Sequence, residues 1–169
     1  INFLLKKQDQ KNIHSNSALG VAMVAFENKD YENAKFQFEN IILDFSRTSS
    51  SSFANFYLGR IHFENNEFAK SESFLNTFMN SSDSEILYCG AVKMLTHIAL
   101  QNSQYDKAIT LLDNSSRKIS KKDFIELKIY KIFVLKNQGK NDKAKSLLEE
   151  IMLEKNLPRH LKQKSEELI

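Results

Sequence analysis

The residues that most often carry chemistry are few in this chain and stand far apart. The 169 residues include four histidines and a single cysteine, Cys89. No histidine stands at metal-ligand spacing from another histidine or from the cysteine, so no zinc-type pattern forms. The sequence also lacks the phosphate-binding loop, the dinucleotide-binding fingerprint and the nucleophile elbow. We therefore predict a non-enzyme that uses no metal and no cofactor.

Charge and hydropathy limit the other function classes. The 24 Lys+Arg are interleaved with 21 Asp+Glu, for a net charge of +3, so no concentrated basic stripe marks a nucleic-acid surface. No run approaches the ~18–20 apolar residues of a transmembrane helix. We predict another protein as the partner, with neither nucleic acid nor a small-molecule substrate. A membrane would be contacted only through an anchor that precedes Ile1.

One pattern recurs four times and shows which elements position the side chains. The copies are DYENAKFQFENI at 30–41, EFAKSESFLNTF at 67–78, QYDKAITLLDNS at 104–115 and KNDKAKSLLEEI at 140–151. We align them on one anchor residue per copy: Tyr31, Phe68, Tyr105 and Asn141. The anchors are separated by 37, 37 and 36 residues. A fixed period of this length indicates stacked structural repeats.

Each copy is predicted to open the second helix of a helical hairpin. A small residue follows the anchor by three positions: Ala34, Ser71, Ala108 and Ala144. A bulky apolar residue follows four positions later: Phe38, Leu75, Leu112 and Leu148. Apolar residues recur at helical spacing on both sides of a short polar break. We expect the helix backbones to approach most closely at the small residue.

The polar breaks and the scattered reactive residues also have predicted structural roles. Asp30 and Ser103 are predicted N-caps of second helices, and Gly139 is predicted to take the left-handed conformation that ends a first helix. The Ser-rich stretches at 46–52 and 80–85 are predicted loops, with Ser52 and Ser84 as the N-caps that follow them. His62 replaces an apolar residue of the other repeats, which predicts a half-buried, hydrogen-bonded side chain. Cys89 is predicted to be a small buried hydrophobe.

The repeat resembles the tetratricopeptide repeat (TPR) family. The stretch FYLGRIHFENNEFAKSESFL at 56–75 carries the resemblance best, through Leu58-Gly59, Phe68, Ser71 in the alanine place and Leu75. The resemblance covers about residues 15–152. The chain lacks the family's early Trp and late Pro, and its period exceeds the usual ~34 residues. The resemblance implies an all-α fold, an α–α superhelix of about four hairpins with a C-terminal capping helix.

The predicted boundaries follow from the repeat. They are an N-terminal extension or start of the first helix at 1–14, repeats at about 15–48, 52–82, 86–118 and 123–152, and a capping helix at 153–169. Pro158 is suited to the first turn of that last helix. Leu161, Ser165 and Leu168 would lie on one face of it.

The TPR resemblance implies a concave groove lined by the first helix of each hairpin. Carrying over the family's groove positions predicts partner-binding residues Leu19, Met23, Phe53, Phe56, Arg60, Lys93, His97, Ile129, Phe133 and Lys136. Aromatic residues and Arg are typical of binding hot spots, and the cations would suit an acidic peptide. In the alternative interpretation, some of these aromatics fill the space between hairpins.

We therefore predict a protein–protein interaction scaffold. The longer period is similar to that of TPR proteins of the bacterial cell envelope. This similarity implies a periplasmic, membrane-anchored protein, with the cytoplasm as the alternative location. Two other functions stay open at this point: a cytosolic chaperone for a secreted client, and a structural self-assembly module.

Overall fold

The described residues of the chain form an all-α structure. A computed structural model describes residues 2–81, 84–115, 119–154 and 157–167. Within these ranges the helices are α1 (Asn2–Glu27), α2 (Tyr31–Asp44), α3 (Ser49–Glu64), α4 (Phe68–Ser81), α5 (Glu85–Gln101), α6 (Tyr105–Asn114), α7 (Lys121–Asn137), α8 (Asn141–Met152) and α9 (Arg159–Glu166), with no strand. None of these described helices combines the length and apolar character that a membrane crossing requires. The predicted all-α hairpin fold is confirmed.

The helices pair in order as hairpins within two compact units. The first unit is Ile1–Ser82, with hairpins α1–α2 and α3–α4, and the second is Asp83–Ile169, with hairpins α5–α6 and α7–α8. In the second unit, α9 packs against α7 and α8, as expected of a capping helix. Each unit has an apolar core of its own.

The repeat boundaries stay predictions, although the helix limits bear on two of them. The predicted extension at 1–14 is continuous with the first helix, because α1 runs unbroken from Asn2 to Glu27. The predicted loop at 46–52 is shorter than expected, since α3 already begins at Ser49. Residues 82–83, 116–118, 155–156 and 168–169, which include Leu168, lie outside the described residues.

All four hairpin turns share one backbone conformation. The residue two positions before each anchor is left-handed: Lys29 (φ 61°), Asn66 (φ 59°), Ser103 (φ 57°) and Gly139 (φ 77°). The N–H of the next residue donates to the carbonyl five positions back, as from Asp30 to Ala25 at 3.0 Å. This is the Schellman arrangement, which satisfies carbonyls at the end of the first helix. The prediction for Gly139 is confirmed.

The structure confirms some predicted helix caps and corrects others. The Asp30 carboxylate accepts a hydrogen bond from the Asn33 N–H at 3.4 Å, and Ser84 is the N-cap residue of α5. The prediction for Ser103 is wrong, because that residue holds the left-handed position of the turn and Gln104 is the N-cap.

The N-cap prediction for Ser52 is also wrong. Thr48 caps α3 instead, where its side chain accepts the N–H of Ser51 at 3.1 Å. Ser52 lies inside the helix and forms a 3.0 Å hydrogen bond with Ser81 of α4. The serine run therefore extends α3 and supplies buried polar contacts.

The small residue after each anchor marks the close contact between the two helices of a hairpin. Ala34, Ser71 and Ala108 are completely buried. The Ser71 hydroxyl donates to the Gly59 carbonyl of α3 at 2.8 Å, which joins α4 to α3 through a buried hydrogen bond. The side chain of Leu75 lies against Gly59 on the same interface. The predicted close approach of the two helices is thus seen in the second hairpin.

Candidate partner-binding surfaces

Within each unit, the first helices of neighbouring hairpins contact each other. α1 contacts α3 in the first unit, and α5 contacts α7 in the second. All ten predicted site residues lie on these four helices. We define two surfaces: the α1–α3 surface is Leu19, Met23, Phe53, Tyr57 and Arg60, and the α5–α7 surface is Lys93, His97, Tyr130 and Phe133. We describe each surface within its own unit.

The α1–α3 surface is built around one aromatic contact between the helices. The ring of Phe26 on α1 lies 5.0 Å from the ring of Tyr57 on α3, and the guanidinium carbon of Arg60 lies 5.2 Å from the centre of the same Phe26 ring. The Arg60 side chain is 46% exposed, and its Nε donates to Glu64 at 2.8 Å. Arg60 is thus positioned by a cation–π contact and an ion pair, while part of its surface faces solvent.

The apolar members of this surface differ in how far they reach solvent. Leu19, Met23 and Phe53 are half-buried, and the first two also pack against the core of the first unit. Phe56 is only 5% exposed, and its ring lies tilted against that of Phe78, with the ring centres 5.2 Å apart. Phe56 therefore fills space between α3 and α4 in this structure, and we leave it out of the α1–α3 surface.

The α5–α7 surface is crossed by an ion pair. The Lys93 ammonium donates to the Glu126 carboxylate at 2.7 Å, and both side chains are about one-third exposed. Burial alone would raise the pKa of Glu126, but the hydrogen bond and charge of Lys93, with the charge of Lys164, lower that pKa below its ordinary value. Glu126 therefore stays a carboxylate that holds Lys93.

The exposed apolar part of the second surface is an aromatic pair. The ring of Phe133 is 6.2 Å from that of Tyr130 in a stacked arrangement, and Phe133 is 46% exposed. His97 is half-buried and lies 3.3 Å from Gln101 on the same helix. Ile129 is 8% exposed within the core of the second unit, so it too is left out of the surface.

Lys136 lies apart from the α5–α7 surface as we define it. It lines a cleft of about 570 Å³ between α7 and α8, together with Ile132, Leu148 and Met152. Ile132 and Leu148 are core residues, so the floor of this cleft is apolar. The structure thus places eight of the ten predicted residues at least partly in solvent, seven of them on the two defined surfaces.

Sequence reasoning missed both tyrosines of these surfaces. Tyr57 and Tyr130 stand at the same repeat position, eleven residues before their anchors. Burial raises the pKa of both phenols, with the charge of Arg60 opposing the effect at Tyr57 and that of Lys93 opposing it at Tyr130. Both rings stay neutral at physiological pH. The recurrence of tyrosine at one repeat position was the signal that could have identified them.

The reactive residues have structural roles. Cys89 is 6% exposed, and burial raises the pKa of its thiol, which disfavours the nucleophilic thiolate. His62 is also buried; its Nδ1 is hydrogen-bonded to the Glu67 carboxylate, and its ring stacks on Phe74 at 5.4 Å. Among the described residues, no group of three His, Cys, Asp or Glu side chains could hold a metal ion.

Comparison with known proteins agrees with the repeat architecture. A family model described as "Tetratricopeptide repeat-like domain" matches residues 4–156, which is most of the chain. A comparison with curated proteins gave no match. Domains of this kind are in general non-catalytic protein–protein interaction modules. With four hairpins in one register and a family match over both units, the chain belongs to the tetratricopeptide repeat-like family.

Proposed function

We propose that the chain is a non-catalytic scaffold that binds partner-protein segments, with one binding surface in each unit: the α1–α3 surface and the α5–α7 surface. One observation carries the proposal. The position eight residues before each anchor holds a large side chain that reaches solvent in all four hairpins: Met23, Arg60, His97 and Phe133. The position directly before it is buried in all four: Ala22, Gly59, Thr96 and Ile132. Core packing therefore accounts for only part of this pattern: Met23 also packs against the core of the first unit, whereas Arg60 and Phe133 are each 46% exposed.

The proposed ligand is recognised mainly through apolar contacts. Met, Arg and aromatic side chains are enriched in the anchoring contacts of protein interfaces. The two cations on the surfaces already have carboxylate partners, Arg60 with Glu64 and Lys93 with Glu126. We therefore assign recognition to a segment with apolar or aromatic side chains, and the charged pairs orient it.

Photo-cross-linking tests the proposal in the cells that make the protein. A photoreactive residue in place of Met23 or Phe133 is expected to capture the partner. The matched controls are Leu43 on α2 and Ile86 on α5, which are 77% and 81% exposed but lie outside both surfaces. Capture at the control positions with none at Met23 or Phe133 would rule out the two surfaces.

Affinity measurements with the captured partner give the second test. Arg60→Glu and Phe133→Ser are each expected to weaken binding about tenfold, the cost of losing one hot-spot contact. Leu43→Ser should leave the dissociation constant unchanged, since Leu43 is exposed outside the surfaces. Equal affinity of all variants would contradict the proposal even though a partner exists.

We further propose that this scaffold works in a bacterial envelope complex, anchored to the membrane and exposed to the periplasm. Support comes from the 36–37-residue period, which is similar to that of envelope TPR proteins. Protease treatment of spheroplasts that express the natural gene distinguishes the compartments. Digestion before lysis is expected. Protection until lysis would place the protein in the cytoplasm.

A further inference from the structure

One carboxylate next to the α5–α7 surface joins side chains of three helices. Glu126 of α7 accepts a hydrogen bond from the Lys93 ammonium of α5 at 2.7 Å. The Lys164 ammonium of α9 lies 3.7 Å from the same carboxylate oxygen. The side chains of Lys93 and Lys164 are 34% and 55% exposed. A single carboxylate therefore holds two cations that both remain partly open to solvent.

Glu126 shares a face of α7 with the aromatic pair of the α5–α7 surface. Tyr130 and Phe133 follow it by four and seven residues, the spacing at which side chains of a helix lie on one face. Burial raises the pKa of the Tyr130 phenol and the charge of Lys93 opposes this, so the ammonium acts on both Tyr130 and Glu126. A segment that covers the exposed Phe133 ring and reaches Lys93 therefore passes beside Glu126.

The charges around Glu126 cancel. Asp123 stands one turn earlier on α7, where its carboxylate accepts from the Ser120 hydroxyl at 2.7 Å. Two carboxylates, Asp123 and Glu126, thus balance two ammonium groups, Lys93 and Lys164. Burial alone would raise the pKa of Glu126, but the hydrogen bond and charge of Lys93, with the charge of Lys164, hold it below its ordinary value. Glu126 therefore keeps its charge at neutral pH.

This arrangement determines which side chains of a partner can be accommodated here. An acidic side chain would need the same two ammonium groups that Glu126 already holds, and it would lie beside a fixed negative charge. Like charges placed side by side in an interface reject a wrong partner, at a cost that an uncharged side chain does not meet. The lysines of the surface are thus unsuited to an acidic segment as long as Glu126 is present.

We propose that Glu126 is a specificity-determining residue of the α5–α7 surface, which excludes partner segments with an acidic side chain next to Phe133 and admits those with an uncharged one. This specificity rests on the proposed function, since the surface must bind a segment before Glu126 can select among segments. The substitution Glu126→Gln removes the charge and keeps the size of the side chain. It should leave Lys93 and Lys164 able to bind an acidic segment.

Selection from a random library of short peptides tests this preference. Peptides are selected on the full chain as wild type and as Glu126→Gln, and only those whose binding is weakened by Phe133→Ser are compared. The wild type should select peptides with fewer Asp and Glu than the starting library, and Glu126→Gln should select acidic ones. For two peptides that differ only by Glu against Gln, the ratio of dissociation constants should shift at least about tenfold towards the Glu peptide in Glu126→Gln. Added salt should reduce this gain.

Two control variants separate the charge of Glu126 from other effects of its substitution. Glu126→Asp keeps the carboxylate and should retain the wild-type preference. Glu150→Gln removes the same charge from another ion pair of the second unit, that of Lys128 with Glu150, and should also select as the wild type does.

The outcomes distinguish this inference from the proposed function. A wild-type chain that selects acidic peptides, or equal acidic content for wild type and Glu126→Gln, would overturn the role of Glu126 while binding still depends on Phe133. If no peptide is selected, or if Phe133→Ser weakens none of them, the proposed function of the α5–α7 surface fails and the role of Glu126 fails with it.

Discussion

The contact between Gly59 and Leu75 gives a sharp test of how the second hairpin packs. A Cβ added at residue 59 would lie 2.7 Å from Cγ and 2.8 Å from Cδ2 of Leu75, and 3.3 Å from its backbone nitrogen. Carbon atoms pack at about 3.5–4.0 Å, so the added methyl must displace its neighbour. Leu75 is 0% exposed, so its side chain can move only against packed neighbours. We therefore predict that Gly59→Ala destabilises the first unit.

The magnitude follows from two opposing terms. Replacing a mid-helix Gly with Ala stabilises the helix by about 0.5–1 kcal/mol. Overpacking a well-filled core costs about 1–3 kcal/mol. For Gly59→Ala we expect a net loss of about 1–2 kcal/mol in the free energy of unfolding. Gly20→Ala should raise the free energy of unfolding by about 0.5–1 kcal/mol. It gains the helix propensity of alanine without a clash, because the added Cβ would meet nothing within 4 Å.

Urea unfolding followed by far-UV circular dichroism measures both variants. Gly20 and Gly59 lie in the same compact unit, Ile1–Ser82, so the two changes are compared within one unit. A double-mutant cycle with Leu75→Ala then isolates the contact. The cost of Leu75→Ala should be smaller in the Gly59→Ala background, because the smaller side chain relieves the clash. If Gly59→Ala proves as stable as Gly20→Ala, the close-contact argument is wrong.

Three further predictions concern a turn, an ion pair and the thiol. Ser103 and Gly139 both have left-handed backbone conformations, which favour glycine. Ser103→Gly should therefore raise the free energy of unfolding by about 0.5–1 kcal/mol, and Gly139→Ala should lower it by about 1 kcal/mol. Urea titration measures both changes, and a loss for Ser103→Gly with a gain for Gly139→Ala would contradict the turn geometry. The hydrogen bond from His62 lowers the pKa of Glu67 below its ordinary 4.5. Glu67→Gln should therefore lower the free energy of unfolding above that pH, and the difference from the wild type should vanish as pH falls through the lowered pKa. Unfolding curves from neutral to acid pH test this, and a difference between the two proteins that grows towards acid pH would refute it. Cys89 should react with a thiol reagent much more slowly in the folded chain than in urea, because its thiol is buried and its pKa is raised; equal rates would contradict this burial.

The hairpin order was predictable because the repeat supplies the same signals four times. A small residue at Ala34 or Ala108 is weak information alone, but its recurrence at one register position indicates a close helix contact. The left-handed turn residue was predicted only at Gly139, where the residue type reveals it. Lys29 and Ser103 adopt the same conformation because the Schellman hydrogen bonds impose it, and neither side chain signals this.

The candidate surfaces were predictable in part. The family's groove positions selected Met23 and Phe133, which lie on helix faces that reach solvent. The same transfer also selected Phe56 and Ile129, which lie in the cores of their units. Both stand twelve residues before their anchors, at the repeat position that Leu19 and Lys93 occupy on the defined surfaces, so the repeat position alone does not separate surface from core. The contact of Lys93 with Glu126 spans 33 residues, and no local pattern indicates such a pairing.

α1 shows a different limit of predicting burial from a repeat sequence. Val21 and Val24 carry the same apolar register as Leu58 and Ile61, yet one pair is exposed and the other is buried. A repeat sequence therefore specifies a face that must be covered, and the covering helix is specified by a different stretch of chain. Where the neighbouring hairpin supplies that helix, as α2 does for α3, the face becomes core. The cost of leaving a face uncovered is the loss of its apolar burial, about 25 cal/mol for each Å² that stays in water.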